Sequence, residues 1–386
     1  MGYCESPMQQ PKANEPASAE ALKPASKQRK QEQEPARSEI TELAPNVLRM
    51  ELPIHMPGLG HVNCYALLDG DGAAVVDPGM PGPDNWNALK KRLKQAGLGV
   101  KDVHTVVVTH SHPDHFGGAT RFVKQAGSKV IAHDAFRFGM ATHAHKKEPE
   151  VSVDDLQTHQ EQLEEEPSSG ADGGWGSGAR TPWGGDPPRP PLGSRVKWQA
   201  MRMMGRGGWV PEITDSVSAG AVLRLAGREW FVVHTPGHTE DHICLHNRED
   251  GLFLAGDHVL PSITPHISGL STFADPLNEF FNSLDEAAAL PDVSLALPAH
   301  GHPFEDLAGR CEDIKRHHAE RLATVREISK ALGPATVQAF SERLFKKRSW
   351  GAMAESETYA HLEHLRILGS AERTSDGDGK YLYLTE

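Results

Sequence analysis

Short apolar or alternating runs, bounded by Gly, Pro and Asp, recur along most of the chain and predict β-strands. The first set of predicted strands covers residues 47–54, 63–68, 73–77, 103–108 and 129–132. The second set covers residues 221–225, 230–234, 242–246, 252–255 and 294–297. Helical periodicity lies between them at residues 84–96, 114–126 and 276–290. Strands interspersed with helices, twice over, predict an α+β fold in which helices cover two sheets.

Beyond residue 309 the pattern becomes mainly helical. Helices are predicted at residues 313–332, 336–345 and 356–368. Strands at 371–375 and 380–384 then flank Asp376-Gly377-Asp378-Gly379, which is typical of a hairpin turn. Three helices followed by a hairpin predict a winged-helix-like C-terminal domain over residues 309–386.

Two segments lack such a pattern. Residues 1–43 are rich in Pro, Gln, Glu, Lys and Ala, and this composition cannot offset the entropy cost of ordering, so a disordered tail is predicted. Within a catalytic domain at 44–308, residues 143–208 are rich in Gly, Pro and Glu and predict a flexible insertion. The tryptophans in or beside this insertion either close over an apolar substrate or pack the insertion onto its own domain, and we favour packing. They are Trp175, Trp183, Trp198 and Trp209.

Composition narrows the class of protein. The formal net charge of −12 argues against duplex binding by phosphate neutralisation, although Lys346-Lys347-Arg348 leaves local phosphate contact with RNA or coenzyme A open. The four cysteines are scattered without a C-x-x-C pair, which favours reduced thiols. The sequence shows neither the apolar core of a secretory signal nor a stretch of ~18 apolar residues. We therefore expect a cytoplasmic protein without a membrane partner.

The densest chemical pattern is Thr109-His110-Ser111-His112-Pro113-Asp114-His115. Three imidazoles and a carboxylate follow directly on a predicted buried strand. His110 and His112 alternate on extended backbone and can therefore point in one direction. Neutral imidazole suits zinc, iron and related ions, and a carboxylate allows a second ion to join. The alternative is a polar turn that happens to be rich in histidine.

Four further polar residues follow predicted strands, where loops commonly carry function. They are Asp77, His238 in Thr235-Pro236-Gly237-His238, Asp257 after Gly256, and His300 in Ala299-His300-Gly301. Each is a weak signal alone, because Asp and His are common at strand ends. Together with the histidine-rich turn, and in this order, they predict a metal centre.

This set resembles the metallo-β-lactamase superfamily of metal-dependent hydrolases, whose H-x-H-x-D-H motif matches residues 110–115. The resemblance spans residues 47–305 apart from the insertion, and it implies a four-layer αββα sandwich with the site at one edge. It also implies two divalent ions, with zinc expected and iron or manganese as alternatives. By this resemblance Asp257 bridges the ions. The first ion is held by His110, His112 and His238, and the second by Asp114, His115 and His300.

The resemblance carries a chemistry. Two metals ~3.5–4 Å apart share a water and lower its pKa towards ~7, which provides hydroxide for attack on a carbonyl or a phosphorus. Asp114 is expected to be catalytic as well, since it can orient the hydroxide or move protons. Asp77 is expected behind the ligands, accepting an N–H from a ligand histidine or from backbone, with a simple turn residue as the alternative. Five histidines near the motifs are candidate substrate contacts: His55, His61, His242, His258 and His266.

The identity of residue 257 bears on the reaction. Members that cleave β-lactams typically have Cys there, whereas thioesterase-, lactonase- and nuclease-like members have Asp. Glyoxalase II-like enzymes share all seven ligand types but carry a different helical C-terminal domain. Residues 235–242, together with the winged-helix-like segment, resemble the lactamase-beta-like-2 subgroup, which includes endoribonucleases and thioesterase-like enzymes.

We therefore expect a binuclear hydrolase acting on a small acyl molecule, namely a thioester, ester or lactone. A single-strand-specific endoribonuclease is the first alternative, with RNA as its partner. A non-catalytic regulator that binds nucleic acid is the second. Such folds are also compatible with a homodimer.

Overall fold

The computed structural model describes residues 30–56, 58–138, 180–185 and 208–386. Its first sheet has seven strands that follow one another in chain order. Neighbouring strands are antiparallel up to the fourth and parallel from there on. The strands are β1 (Thr41–Ala44), β2 (Val47–Met56), β3 (Leu59–Asp69), β4 (Gly72–Val76), β5 (Val103–Val107), β6 (Lys129–His133) and β7 (Asp215–Val217).

The second sheet has five strands in the order β12-β11-β10-β9-β8. Only the pair of β11 and β12 is parallel. The strands are β8 (Val222–Leu225), β9 (Arg228–His234), β10 (Ile243–Asn247), β11 (Leu252–Gly256) and β12 (Leu295–Pro298).

Helices cover the outer face of each sheet. The first sheet carries α1 (Pro83–Gln95), α2 (Pro113–Phe116) and α3 (Ala119–Ala126). The second sheet carries α4 (Pro276–Ala288) and α5 (Leu307–Leu332).

Alternation along the strands builds the layers. In β10, Leu245 faces the core between the two sheets, whereas Cys244 faces the helices. In β4, Val76 and Val75 divide in the same way between the inner core and the core under α1. Successive strand residues point to opposite faces, so one strand supplies two cores. The predicted αββα sandwich is confirmed.

The C-terminal segment contains the predicted three helices and hairpin, in a winged-helix-like order. After α5 come β13 (Ala335–Thr336), α6 (Val337–Leu344) and α7 (Ala352–Ile367). The hairpin is β14 (Ala371–Ser375) with β15 (Tyr381–Thr385), and β13 adds a third strand beside β15. Its buried residues belong to the same apolar cluster as the helix-covered face of the second sheet, so this segment packs directly on the sandwich.

Residues 30–43 differ from the predicted disordered tail. They form a 3-10 turn, Gln31–Gln33, and most of β1, and the side chain of Glu32 is fully buried. The prediction of disorder is therefore wrong for residues 30–43. This polar segment is ordered by hydrogen bonds to distant loops, which composition does not reveal. The rest of the predicted tail, residues 1–29, lies outside the described residues.

The helix predicted at residues 114–126 is interrupted. A side chain at Gly117 would place its Cβ 2.1 Å from the backbone nitrogen of Pro81, and one at Gly118 would lie 2.5 Å from the carbonyl oxygen of Pro78. The chain therefore bends where it passes directly against the loop after β4. This bend separates the short α2, which carries two of the predicted ligands, from α3.

Most of the predicted insertion, including Trp175 and Trp198, lies outside the described residues. Trp183 is buried beside Tyr359, with ring centroids 5.2 Å apart. Trp209 stacks on Phe116 at 5.4 Å. These two tryptophans therefore pack against the body of the protein. Among the described residues, no helix is both long and apolar enough to cross a membrane.

Candidate metal centre

The seven predicted ligands meet at one edge of the sandwich. The loop after β5 carries His110 and His112, and the short α2 that follows carries Asp114 and His115. The remaining three lie in the loops after β9, β11 and β12 of the second sheet. The ligand atoms form two adjacent groups, and within each group they lie within 4.8 Å of one another. The groups are His110, His112, His238 and Asp257, and Asp114, His115 and His300.

In the first group three ring nitrogens face one another. Nδ1 of His112 lies 3.0 Å from Nε2 of His110 and 3.1 Å from Nε2 of His238. The Nδ1–H of His238 donates to the carbonyl oxygen of His266 at 2.7 Å, so Nε2 of His238 is unprotonated and has a free lone pair. A single proton would bridge only one of these two contacts, whereas a cation can accept the lone pairs of all three ring nitrogens. Burial, reinforced by the His238 imidazole, lowers the pKa of His112 to about 3, so its ring is neutral and suited to coordination.

In the second group Oδ2 of Asp114 lies 3.5 Å from Nε2 of both His115 and His300. The Nδ1–H of His300 points away and donates to the carbonyl oxygen of His61 at 2.7 Å. Both Nε2 atoms are buried and have no hydrogen-bond partner among the described residues. Burial lowers the pKa of His300, but Asp257 and Asp114 outweigh burial and raise that pKa to about 10. The local field therefore favours a cation.

Asp257 connects the two groups. Its Oδ2 lies 3.6 Å from Nε2 of His238 in the first group and 3.6 Å from Nε2 of His115 in the second. Its Oδ1 lies 3.3 Å from Nε2 of His300 and is buried without a hydrogen-bond partner among the described residues. Imidazole and carboxylate ligands with their lone pairs directed inwards fit divalent metal ions. The residues present therefore fit a metal site.

Asp77 lies behind this site in a left-handed backbone conformation, with φ of 54°. Its Oδ1 accepts a hydrogen bond from the backbone nitrogen of Thr109 at 2.9 Å, and its Oδ2 accepts one from the Thr109 hydroxyl at 2.8 Å. Oδ2 also accepts the Nδ1–H of His115 at 2.8 Å. One carboxylate thus holds the start of the histidine-rich turn and directs Nε2 of His115 into the site.

His242 is a correction to the predicted substrate contacts. Its Nδ1–H donates to the hydroxyl of Thr235 at 2.7 Å, and its Nε2 accepts the backbone N–H of Asp257 at 3.0 Å. A Cβ at Gly256 would lie 2.6 Å from this Nε2, and the φ of 51° at that position also favours glycine. Both ring nitrogens are used inside the protein, so His242 positions Asp257 and does not contact substrate.

For His61 and His258 the predicted substrate contact is also wrong, because both side chains lie in the protein interior. Both are fully buried. The Nδ1–H of His61 donates to the carbonyl oxygen of Glu34 at 2.8 Å, and its Nε2 accepts the N–H of Gly301 at 3.2 Å. The ring of His258 packs edge-on against Phe280, with centroids 5.3 Å apart. Histidines close to a motif in sequence are here part of the protein interior.

Two of the five candidate substrate contacts have side chains that are at least partly exposed to solvent. His55 is exposed near the end of β2. His266 is partly exposed, and its Nδ1 lies 3.3 Å from Oε2 of Glu357 on α7. Both remain predictions as substrate contacts.

Asp241 is a site residue absent from the sequence predictions. Its Oδ1 accepts a hydrogen bond at 3.0 Å from the hydroxyl of Ser111, which lies between the ligands His110 and His112. Burial raises the pKa of Asp241 to about 6. Residues 235–242 stood out as a motif, but no local pattern shows which of its side chains turns back onto the histidine-rich turn.

Comparison with known proteins agrees with this geometry. Residues 57–300 match a family model described as the metallo-beta-lactamase superfamily. The chain is 25% identical over 354 residues to the probable metallo-hydrolase YqjP of Bacillus subtilis, covering 84% of this chain and 93% of that protein. It is also similar to the metallo-beta-lactamase family protein TTHA1429 of Thermus thermophilus, with a TM-score of 0.63 and 27% identity, covering 89% of this chain and all of that one.

The chain also has a more local similarity to a protein named as a thioesterase. The atrochrysone carboxyl ACP thioesterase of a Cryptosporiopsis species is 30% identical over 121 residues, which cover 31% of this chain and 34% of that protein. The family match, in contrast, covers more than half of the chain. The protein therefore belongs to the metallo-beta-lactamase superfamily and is a hydrolase.

Proposed function

We propose that this protein is a binuclear metal-dependent hydrolase that cleaves a thioester, ester or lactone of a small acyl molecule. The observation that carries the proposal is the position of Asp257, whose carboxylate lies within 3.6 Å of ligand nitrogens from both groups. A carboxylate in this position offsets the repulsion between two neighbouring divalent ions. We propose zinc as the ion, with iron or manganese as alternatives.

When bound, such ions supply a water of lowered pKa and polarise the bond under attack. The protein's own groups supply orientation and proton transfer. Three acceptors each take an Nδ1–H from a ligand histidine and so keep its Nε2 directed inwards. They are the carboxylate of Asp77 and the carbonyl oxygens of His61 and His266. Asp114 contributes a carboxylate that takes the proton of the attacking water on an oxygen and returns it to the leaving group.

Hydrolysis of a thioester would proceed by attack of the water oxygen on the acyl carbon. The water oxygen forms a bond to the acyl carbon, the carbon–sulfur bond breaks, and the proton held by Asp114 passes to the departing sulfur. The products are a carboxylic acid and a thiol. An ester or lactone follows the same sequence, with oxygen in place of sulfur.

The acyl substrate class rests on two supports. One is the carboxylate at position 257, which is the residue expected of thioesterase- and lactonase-like members. The other is the local similarity to a protein named as an acyl-carrier-protein thioesterase. An RNA substrate is the second candidate, because Lys346, Lys347 and Arg348 are all exposed on the C-terminal segment.

The test combines metal analysis with a substrate panel. Protein purified without chelator should contain about two zinc or iron ions per chain. The panel comprises acyl-CoA thioesters, lactones, a chromogenic cephalosporin and unstructured RNA, and we expect turnover of a thioester or lactone. His112→Ala should abolish this turnover, whereas His104→Ala, a partly exposed histidine on β5, should retain it.

Each result has a clear meaning. A folded protein that contains no metal would overturn the proposal. Turnover of RNA alone, with binding that weakens steeply as salt rises, would support the endoribonuclease instead. Activity that survives His112→Ala would place the reaction elsewhere.

A further inference from the structure

Glu32 is a buried carboxylate in a segment that composition alone predicts to be disordered. Its Oε1 accepts hydrogen bonds from the backbone nitrogens of Ser262 at 2.8 Å and Ile263 at 3.0 Å, and its Oε2 accepts one from the Ser262 hydroxyl. A carboxylate tolerates full burial only when such donors satisfy it. These donors belong to the loop that begins at Asp257 after β11, so Glu32 is attached to a loop that carries a metal ligand.

The same loop is held from its other side by α5. Nε of Arg310 donates to the carbonyl oxygen of Leu260 at 2.6 Å, and its Nη2 donates to that of Ile263 at 2.8 Å. The carboxylate of Glu32 thus takes the loop's N–H groups while the guanidinium takes its carbonyl groups. The backbone of this loop is fixed between two opposite charges.

A second contact leads from this segment to His300. The carbonyl oxygen of Glu34 accepts the Nδ1–H of His61 at 2.8 Å, and this leaves Nε2 of His61 to accept the N–H of Gly301 at 3.2 Å. The carbonyl oxygen of His61 in turn accepts the Nδ1–H of His300 at 2.7 Å. A Cβ at Gly60 would lie 2.2 Å from the carbonyl oxygen of Glu34, so β3 and this segment are in direct backbone contact.

A third contact holds the residues after His300. Oε1 of Gln31 accepts the backbone N–H of His302 at 3.1 Å. The carboxylate of Glu34 lies 3.0 Å from Nε2 of the same histidine. Residues 31–34, which we call the strap, therefore touch the Asp257 loop, β3 beside the site and the His300 loop.

We propose that the strap is a positioning element of the metal centre, and that it fixes His300, and with it the second ligand group, through His61 and the backbone of residues 301–302. This proposal rests on the proposed function, because it assumes that the second group holds an ion. Partners behind metal ligands typically account for a 10–100-fold difference in metal affinity, roughly the size of effect expected here.

The experiment is a Zn2+ titration of the metal-free full-length protein against a chromophoric chelator, which resolves two binding steps. His300→Ala identifies the step that belongs to the second group. Glu32→Ala should weaken that step by about 10–100-fold. It should weaken the other step less, because Arg310 still holds the loop that carries Asp257. Glu32→Gln should recover most of the affinity, because its amide oxygen still accepts the two backbone N–H groups. Glu39→Ala, at an exposed carboxylate in the same segment, should match wild type.

Gln31→Ala provides an independent variant, since its side chain is only partly buried and its loss removes only the acceptor for His302. We expect a smaller weakening of the same step. The strap proposal would be overturned if Glu32→Ala bound Zn2+ with wild-type affinity in both steps, or if both steps were weakened equally. Either result would leave the hydrolase proposal intact. A wild-type protein that binds no Zn2+ would overturn both.

Discussion

The carboxylate of Asp77 accepts the Nδ1–H of His115 at 2.8 Å and the backbone N–H of Thr109 at 2.9 Å. The first contact selects the ring tautomer that leaves Nε2 of His115 for a metal. The second anchors the backbone from which the histidine-rich turn begins. One residue after β4 thus sets both the direction of a ligand and the position of the motif that contains it.

We expect Asp77→Asn to reduce kcat/KM by about 10–100-fold, with a matching loss of the second metal ion. The amide retains the shape of the carboxylate but places an N–H group where an acceptor is needed. Metal-to-protein ratios and steady-state kinetics check this. Asp71→Asn, in the exposed turn before β4, is the matched control and should behave as wild type. Normal metal content with normal kinetics in Asp77→Asn would show that this hydrogen bond does not orient His115.

Asp257 and Asp114 should differ in how many ions they affect. Asp257 lies against both ligand groups, whereas the close contacts of Asp114 with described ligand histidines are to His115 and His300 of the second group. Asp257→Ala should therefore weaken both ions, and Asp114→Ala should weaken one. Metal content after equilibrium dialysis at a fixed free Zn2+ concentration distinguishes these outcomes. If Asp257→Ala lost a single ion, the carboxylate would not bridge the groups.

Two buried histidines near or within β10 should respond oppositely to replacement by leucine. His242→Leu leaves the N–H of Asp257 and the hydroxyl of Thr235 without their partner, which should cost about 1–3 kcal/mol of the free energy of unfolding. Both ring nitrogens of His246 lack a hydrogen-bond partner within the described part of the chain. His246→Leu should accordingly be neutral or stabilising.

Urea denaturation of the metal-free proteins measures both effects of the leucine replacements. Metal binding should also fall in His242→Leu but not in His246→Leu, because only His242 contacts the backbone of a ligand. Equal losses of stability in the two variants would contradict the assigned role of His242.

The contact between α5 and α7 should make stability depend on pH. The Nδ1–H of His318 donates to Nε2 of His361 at 3.0 Å, and both rings are fully buried. Burial lowers the pKa of His318 to about 2, with the His361 imidazole adding to the effect, and burial lowers the pKa of His361 to about 4. In the unfolded chain each has a pKa of about 6.5, so the unfolded chain takes up protons first as pH falls.

This stabilisation should be fully present above about pH 6.5 and decline as the pH falls towards the lowered pKa values of the folded protein. Each group can contribute up to about 1.4 kcal/mol per pH unit over that range. His318→Asn keeps a donor towards His361 but does not titrate, so its free energy of unfolding should fall less steeply between pH 6.5 and 4.5 in urea denaturation. His104→Asn, at a partly exposed position, should retain the wild-type slope. Identical slopes in all three proteins would exclude the buried pair as a source of acid sensitivity.

The helix predicted at residues 114–126 shows where local pattern stops being informative. Its periodicity is continuous through Gly117 and Gly118, yet the folded chain bends there, because both glycines press against the loop at Pro78 and Pro81. The obstacle comes from residues more than thirty positions earlier. The local periodicity of a sequence carries no information about such a contact with a distant loop.

Glu32 and Ile54 illustrate the same division for burial. Ile54 is buried, as an apolar strand residue should be, and its side chain needs only an apolar environment. Glu32 is buried because three specific donors in a loop some 230 residues away satisfy it. The first kind of burial follows from residue type, whereas the second exists only after the loop is in place.

The sequence by itself predicted two helix-covered sheets and a metal centre at strand ends, because strand alternation and polar residues after strands are local properties. The resemblance to the metallo-β-lactamase superfamily supplied the sandwich, the edge and the division of the ligands. Tertiary structure alone decided that other histidines near the motifs, such as His242, do not face the site. His110 and His242 are equally buried, and they differ only in whether Nε2 meets other ligand atoms or the N–H of Asp257. That difference depends on hydrogen-bond directions between distant segments, and these directions are set when the two sheets pack together.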